Sequence, residues 1–218
     1  MKLIGILGGT FNPIHNGHLR LAQVLAETLK LDEVKFTPSA QPPHKKTPQV
    51  SAEHRAAMVA RAIQNNPNFS LENCELMRTG NSYTIDTLEH LRQLHGEDVS
   101  LVLLMGSDAF TKLDTWHRWA DIIKYCHIAL VQRPLRESST NHAPLNKPLE
   151  TLLQNHYTEN SDDLSSTNAG FITMQAMAPL DISSTAIRTM LENKQSARYL
   201  LPDAVLDYID THQLYGAI

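Results

Sequence analysis

GILGGTFNPIHNGHLRLAQ, residues Gly5–Gln23, changes its period halfway along. Lys2–Leu7 is a short, almost continuously apolar run closed by Gly8-Gly9, which reads as a buried strand. From His18 onward Leu21, Ala22, Leu25 and Leu29 fall at helical spacing, with Arg20, Gln23, Glu27 and Lys30 between them. A buried strand, a glycine turn and an amphipathic helix are the opening of a βα unit.

The same alternation continues outward. Strands are expected at Val34–Thr37, Phe69–Leu76, Val99–Met105, His127–Val131 and Phe171–Met177. Val99–Met105 (VSLVLLM) is the strongest of them, continuous and apolar as a central parallel strand should be. Helices are expected at Ser51–Gln64 with Ser51 as N-cap, Thr84–Leu94, Trp119–Tyr125, Ser184–Glu192 and Pro202–Thr211 with Pro202 in the first turn. Ser39–Gln49, with Pro42-Pro43, is a loop. The pattern predicts an α/β fold: a doubly wound, mostly parallel Rossmann-like sheet with helices on both faces. At roughly 150 residues per domain, 218 residues make one domain, 1–218. Residues 134–170 are the exception to the pattern; NHYTENSDDLSSTNAG is polar and turn-rich, and the region reads as a surface insertion with one short helix near Leu149–Gln154.

The formal net charge of −4 argues against a general nucleic-acid or membrane-surface binder. An anionic substrate would have to be held by local cations and backbone N–H groups. The first apolar run is too short for a membrane span or a secretory segment, so a cytoplasmic protein is expected. Cys74 and Cys126 form no C-x-x-C pair and are expected to be reduced and buried.

In open α/β sheets ligands sit beyond the carboxyl ends of the strands. Gly8-Gly9-Thr10 and Gly106-Ser107-Asp108 both lie at such ends, and would face one crevice if their strands are neighbours. The helix that follows offers free N–H groups and the positive end of its dipole to a phosphate. Neither G-x-G-x-x-G nor G-x-x-x-x-G-K-[ST] is present, which removes the motif for a redox dinucleotide or a P-loop. His15-Asn16-Gly17-His18 remains. Gly17 has no side chain, so both imidazoles can reach one ligand. From the residues alone the pair reads equally as a phosphate site or as two surface histidines at a helix start; a metal site lacks a third nearby ligand.

GGTFNPIHNGHL resembles the signature of the H-x-G-H nucleotidyltransferase superfamily, and ISSTAIR (Ile182–Arg188) its second signature. PPHKK (Pro42–Lys46), SYTIDTL (Ser82–Leu88) and GSDAFTKLDTWHRW (Gly106–Trp119) narrow the likeness to the bacterial nicotinate-nucleotide adenylyltransferases. Those enzymes join nicotinate mononucleotide to the AMP part of ATP and release pyrophosphate. Two departures are visible: Asn12 stands where the family often has Asp, and Asn81 precedes Ser82 where Pro is frequent. A phosphopantetheine or sugar-phosphate transferase of the same superfamily is the nearest alternative; SYTIDTL with Trp116 speaks against it.

The resemblance implies the following roles. His15, His18 and Arg188 are the catalytic group, the histidines donating to the triphosphate and Arg188 holding it from the opposite wall. Gly8, Gly9, Thr10, Phe11, Gly106, Asp108, Ser183 and Ser184 form the ATP site. His44, Lys45, Ser82, Tyr83, Thr84, Ile85, Trp116 and Arg133 form the mononucleotide site, with a carboxylate at the helix N-terminus near Thr84-Ile85 and Trp116 stacked on the pyridinium ring. Asp108 reads equally as a helix N-cap. Trp119 starts an apolar helical face and is assigned to the core. Mg2+ is the expected cofactor, held mainly by substrate phosphates and water, with no protein cage. The expected partners are the substrates ATP and nicotinate mononucleotide.

Overall fold

The computed structural model describes residues 1–41, 48–132, 145–178 and 180–216. Six strands, β1 (Lys2–Gly9), β2 (Glu33–Pro38), β3 (Phe69–Leu71), β4 (Val99–Gly106), β5 (His127–Gln132) and β6 (Ile172–Ala176), form one sheet in the order β3-β2-β1-β4-β5-β6. Every pairing is parallel. β1 is hydrogen-bonded to both β2 and β4, with Gly5 opposite Val34 on one side and Val102 on the other. Strand order therefore reverses between β1 and β4, and the crevice at their carboxyl ends is the topological switch point of the fold.

The period-2 alternation of the strands divides the apolar side chains between two cores. Leu3 and Leu7 of β1 and Val102 and Leu104 of β4 pack with α1 (Asn16–Thr28), α2 (Ala52–Ile63), α8 (Ser184–Glu192) and α9 (Asp203–Thr211). Ile4 and Ile6, with Leu101, Leu103 and Met105, pack with α4 (Thr84–His95), α6 (Ile122–Tyr125) and α7 (Lys147–His156) on the other face. Gly5 is required by this crowding. A Cβ there would meet Leu31 Cδ1 at 2.8 Å and Leu104 Cδ1 at 3.1 Å.

Ser51 caps α2 by accepting the His54 N–H, as expected. Pro202 stands at the N-cap of α9, one position before its first turn. The strand expected over Phe69–Leu76 stops at Leu71 and is followed by a one-turn helix, α3 (Cys74–Met77). Glu72 ends the strand: its N–H donates to Phe36 O, and its Oε1 accepts the Cys74 N–H at 3.0 Å. The consecutive residues Cys74 and Glu75 are then both buried, which a strand with one covered face would not allow. In the 134–170 region the described part holds α7, capped by Asn146, and a 3-10 turn at Ser161–Ser165. It is not all surface, because Leu149 and Leu164 are fully buried, one in each core. Both cysteines are free and buried.

Two buried arginines close the ends of the sheet. Arg92, at the amino end of β4, donates to the carbonyls of Gly96, Val99, Tyr125 and Asn168. Arg55, 1% exposed, donates to Thr10 O at 2.6 Å, Ala40 O at 3.1 Å and Val50 O at 3.3 Å. The second arginine matters for function, because it pins the turn that follows β1.

Candidate active site

A cavity of about 510 Å3 opens at the switch point. Its floor is the carboxyl end of β1 (Gly8, Gly9, Thr10) and of β4 (Met105, Gly106). Its walls carry His18 of α1, Asp108 of the short helix α5 (Ser107–Phe110), Ser82, Tyr83 and Thr84 at the start of α4, and Trp116. The two glycine turns singled out in the sequence thus meet in one crevice.

The β1–α1 turn is built in layers. Phe11 takes a left-handed backbone (φ 47°), and its ring is 2% exposed, lying 6.0 Å from the Phe36 ring and edge-on to His18 at 5.1 Å. A bulky residue held at positive φ marks a turn fixed by its surroundings. The Phe11 side chain supports His18 from the core and does not line the cavity. His15 is the N-cap of α1, and its ring stacks on that of His18, with centroids 3.7 Å apart. Gly17 makes this possible: a Cβ there would sit 3.0 Å from Cε1 and Nδ1 of His15. The His15 backbone N–H donates to His18 Nδ1 at 3.2 Å. With Nδ1 accepting, a neutral His18 carries its proton on Nε2.

The histidines therefore differ. His18 lines the cavity, whereas His15 lies behind it, 6% exposed, with Nδ1 buried and unpartnered. Burial pushes the His15 imidazole down to about 4, so it is neutral at pH 7.

α8 docks on the same turn, not on an opposite wall. Ser183 is its N-cap and accepts the Ala186 N–H at 3.1 Å. Ser184 Oγ donates to Pro13 O at 2.9 Å, and Arg188 Nη1 donates to Asn12 O at 2.8 Å. Arg188 also reaches Thr185 Oγ1, and Tyr215 OH donates to Asn12 Oδ1 at 2.6 Å. Asn12, at the position where Asp is common in the resembling family, is thus held through both its backbone and its side-chain carbonyl. Arg188, Ser183 and Ser184 border the histidine turn without lining the cavity in this state.

At the far side of the cavity, Ser82 Oγ accepts the N–H groups of Ala40 and Gln41, fastening the start of α4 to the chain leaving β2. Tyr83 is the α4 N-cap and makes no side-chain cap bond, so it leaves the first-turn N–H groups to other acceptors. Its ring lies 4.4 Å from that of His117, which also lines the cavity. Thr84 is on the wall; Ile85 is fully buried and can offer only its backbone N–H. Trp116 is half-buried against the α4 core and faces the cavity, whereas Trp119 packs on that core away from it. Asp108 is the second residue of α5, with Gly106 at the N-cap, so it is not itself the cap. His44, Lys45 and Arg133 lie outside the described residues.

Three cavity features escape the sequence reading. Arg55 fixes the floor through Thr10 O. Thr37, 1% exposed, lines the cavity with an unpartnered hydroxyl. Glu75, 7% exposed, also lines it, and burial raises its carboxyl above the usual range. Arg55 was detectable as the one charge on the Ala56-Val59-Ile63 face of α2; Glu75 was hidden by the strand expected there.

Among the described residues one cluster, Glu72, Cys74 and His90, brings three ligand atoms within 4.8 Å of one another. None of the three lines the cavity. Glu72 is engaged by the Cys74 N–H and Lys35, and burial pushes the Cys74 thiol up to about 11, which opposes the thiolate a metal needs. The cavity's own carboxylates are Asp108 and Glu75. An Asp108 oxygen, completed by phosphates and water, fits a divalent cation of the kind that seldom takes an all-protein cage. No described helix is long and apolar enough to cross a membrane.

Comparison with known proteins agrees with this geometry. Residues 6–190 match the cytidylyltransferase-like family. A Pseudomonas fluorescens protein named "Probable nicotinate-nucleotide adenylyltransferase" is 46% identical over 217 residues, covering 99% of this chain and 98% of its own. One of the same name from Dechloromonas aromatica is 46% identical over 215 residues, covering 97% of each chain. Among solved structures, the nicotinic acid mononucleotide adenylyltransferase of Plasmodium falciparum, complexed with NaAD, superposes with a TM-score of 0.73 at 17% identity, covering 100% of this chain and 99% of its own. That likeness speaks for the fold. Full-length relatedness at this level, on a doubly wound sheet with the histidine turn at its switch point, places the chain in the nicotinate-nucleotide adenylyltransferase family.

Proposed function

We propose that this protein transfers the adenylyl group of ATP to nicotinate mononucleotide, giving nicotinate adenine dinucleotide and pyrophosphate, as a step of NAD biosynthesis in the cytoplasm. The observation that carries the reading is a single cavity with two ends. One end has the glycine turns and His18; the other has the uncapped start of α4 and Trp116.

The nucleophile is a phosphate oxygen of the mononucleotide, ionised at pH 7, so the site needs no general base. A bond forms between that oxygen and the α-phosphorus of ATP, and the bond from the α-phosphorus to the oxygen bridging to the β-phosphorus breaks. Catalysis is then positioning plus stabilisation of developing charge. His18 donates from Nε2, its tautomer set by the His15 backbone. His15, neutral and buried, acts as the platform that orients His18. Arg188 and the Ser183-Ser184 start of α8 bind the β- and γ-phosphates, Arg188 exchanging Asn12 O for phosphate. Gly8, Gly9, Thr10, Gly106 and Asp108 receive the adenosine and α-phosphate. Asp108 is the residue that would hold Mg2+ beside phosphate oxygens and water, and the ion would supply positive charge to the triphosphate.

The mononucleotide lies along the other wall. The nicotinate carboxylate accepts N–H bonds at the α4 start near Thr84 and Ile85, and Trp116 covers the ring face. Ser82 and Tyr83 hold that turn in place, and His44, Lys45 and Arg133 receive the 5′-phosphate. The reading is tested by incubating the protein with ATP and nicotinate mononucleotide. Stoichiometric formation of the dinucleotide and pyrophosphate is expected; ATP consumption without dinucleotide would refute it.

A further inference from the structure

Glu75 has no assigned part in the reaction, yet it occupies the acid-recognising end of the cavity. It lines the cavity beside Ser82, Thr84 and Thr87 and is more than nine-tenths buried. Its Oε1 accepts the Thr87 hydroxyl at 2.9 Å; its Oε2 is buried with no partner at good hydrogen-bond geometry, the Ser82 hydroxyl being the one polar group that also acts on this carboxyl from the cavity wall. The cations around it are committed elsewhere. Arg78 Nη2 donates to Thr87 Oγ1 at 2.6 Å, and Arg55 donates to backbone carbonyls. Among the described residues no cation lies within ion-pair distance of the Glu75 carboxyl. An orphaned buried oxygen is costly, and here it adjoins the place where a substrate would sit.

We propose that Glu75 is a specificity-determining residue that takes up a proton when an acid-substituted pyridine ring binds, and so makes the preference for acid over amide depend on pH. The inference rests on the functional reading above. Two ionised carboxylates in one water-poor cavity repel, and such a pair keeps one proton between them. A protonated Glu75 removes the repulsion and offers an O–H donor to an acid substituent. An ionised Glu75 is only an acceptor, which suits the NH2 of a carboxamide. The proton comes from solvent and goes to the Glu75 carboxyl; no covalent bond of the substrate changes.

Burial raises the Glu75 carboxyl, against the lowering influence of the Thr87 and Ser82 hydroxyls and Arg78; Asp86 on α4 adds to the rise. Arg55 on α2 and Cys74 on α3 also lie in its field. Across the cavity stand His18, Asp108, Lys112 and His117. Of these His117, whose ring lies 4.4 Å from that of Tyr83, is the rival, because an N–H donor there would also favour a carboxylate. The sign follows from linkage. Below the Glu75 pKa no proton needs to be taken up and the acid preference is at its plateau. Above it, acid binding costs a proton, and the preference falls by at most about tenfold per pH unit.

The test is calorimetric titration of nicotinate and nicotinamide mononucleotides into the enzyme, in two buffers of different protonation enthalpy. The two ligands share a 5′-phosphate, so its titration subtracts out. Acid minus amide should show uptake of a large fraction of one proton, and the ratio of their kcat/KM values should fall as pH rises from about 5.5 to 9. Glu75→Gln should abolish the extra uptake and flatten the ratio, whereas His117→Asn should leave both. No extra uptake in the native enzyme, persistence in Glu75→Gln, or loss in His117→Asn would each overturn the proposal. If Glu75→Gln does not fold, the His117→Asn arm decides. If the acid does not bind at all, the functional reading fails as well; if it binds without extra uptake, only this inference fails.

Discussion

The two histidines of the first helix have the same residue type and different physical states. His18 has a defined tautomer and faces the cavity. Under the proposed mechanism, His18→Ala should lower kcat by roughly 10²–10³-fold, the usual loss for one preorganised donor, while ATP binding weakens much less. Steady-state and ATP-binding measurements on the folded variant check this; normal turnover would remove His18 from the chemistry. His15 makes a stability prediction. Its imidazole is near 4 in the folded protein against an ordinary 6.5, so the unfolded chain binds a proton first as pH falls. Folding stability should therefore be intact above about pH 6.5 and decline between there and pH 4, by about 2 kcal/mol at pH 5 from this residue alone. Thermal melts of His15→Asn, compared with the native chain, should show a smaller loss over that interval. The spacing of His15, Gly17 and His18 was visible in the sequence. That one ring would be buried behind the other was not, because it depends on the stacking contact and on Phe11 filling the space beneath. Glu75 was hidden by the strand expected over its segment; Arg55 stood out as the one charge on an apolar helix face, but that it would pin the Thr10 carbonyl depends on tertiary packing.

Helices α8 and α4 give the cavity its two ends. The ISSTAIR segment was legible as a capped helix, and it is one, but the surface it docks on was set by tertiary packing. Ser184 and Arg188 both donate to carbonyls of the histidine turn. If Arg188 moves from Asn12 O to the triphosphate, Arg188→Ala should raise KM for ATP and slow the reverse reaction with pyrophosphate. Arg188→Lys should recover only part of either, since a point charge does not reproduce a planar fork. Full recovery with Lys, or no defect in Ala, would assign Arg188 to fastening the turn alone. The strand expected through Leu76 stops at Leu71, because in ENCEL only Cys74 and Leu76 are apolar and the chain turns into a one-turn helix after Glu72. The deciding bond, Cys74 N–H to Glu72 Oε1, is a local side-chain bond that propensity does not register.

At the scale of the molecule, alternating strand and helix signals suffice to predict a doubly wound sheet, because a parallel strand buried on both faces has few other readings. They do not give strand order. That β1 and β4 are neighbours, and hence that two distant glycine turns form one crevice, is a tertiary fact. It is also what turns a chain with a net charge of −4 into a plausible host for two polyanions, since helix starts and strand-end N–H groups converge there. The central claim is that this crevice joins ATP to a mononucleotide and reads the acid group on its ring. A helix N-terminus satisfies a carboxylate with two acceptor oxygens, while a carboxamide presents an NH2 to donors and leaves a mismatched pair. Steady-state kinetics with ATP and each mononucleotide at pH 7 tests this most directly. The account predicts dinucleotide formation with a kcat/KM for nicotinate mononucleotide at least ~10²-fold above that for the nicotinamide form, a difference of about 3 kcal/mol. Trp116→Ala should lower both values and leave their ratio largely intact. Equal efficiencies, or no turnover of the acid, would contradict it.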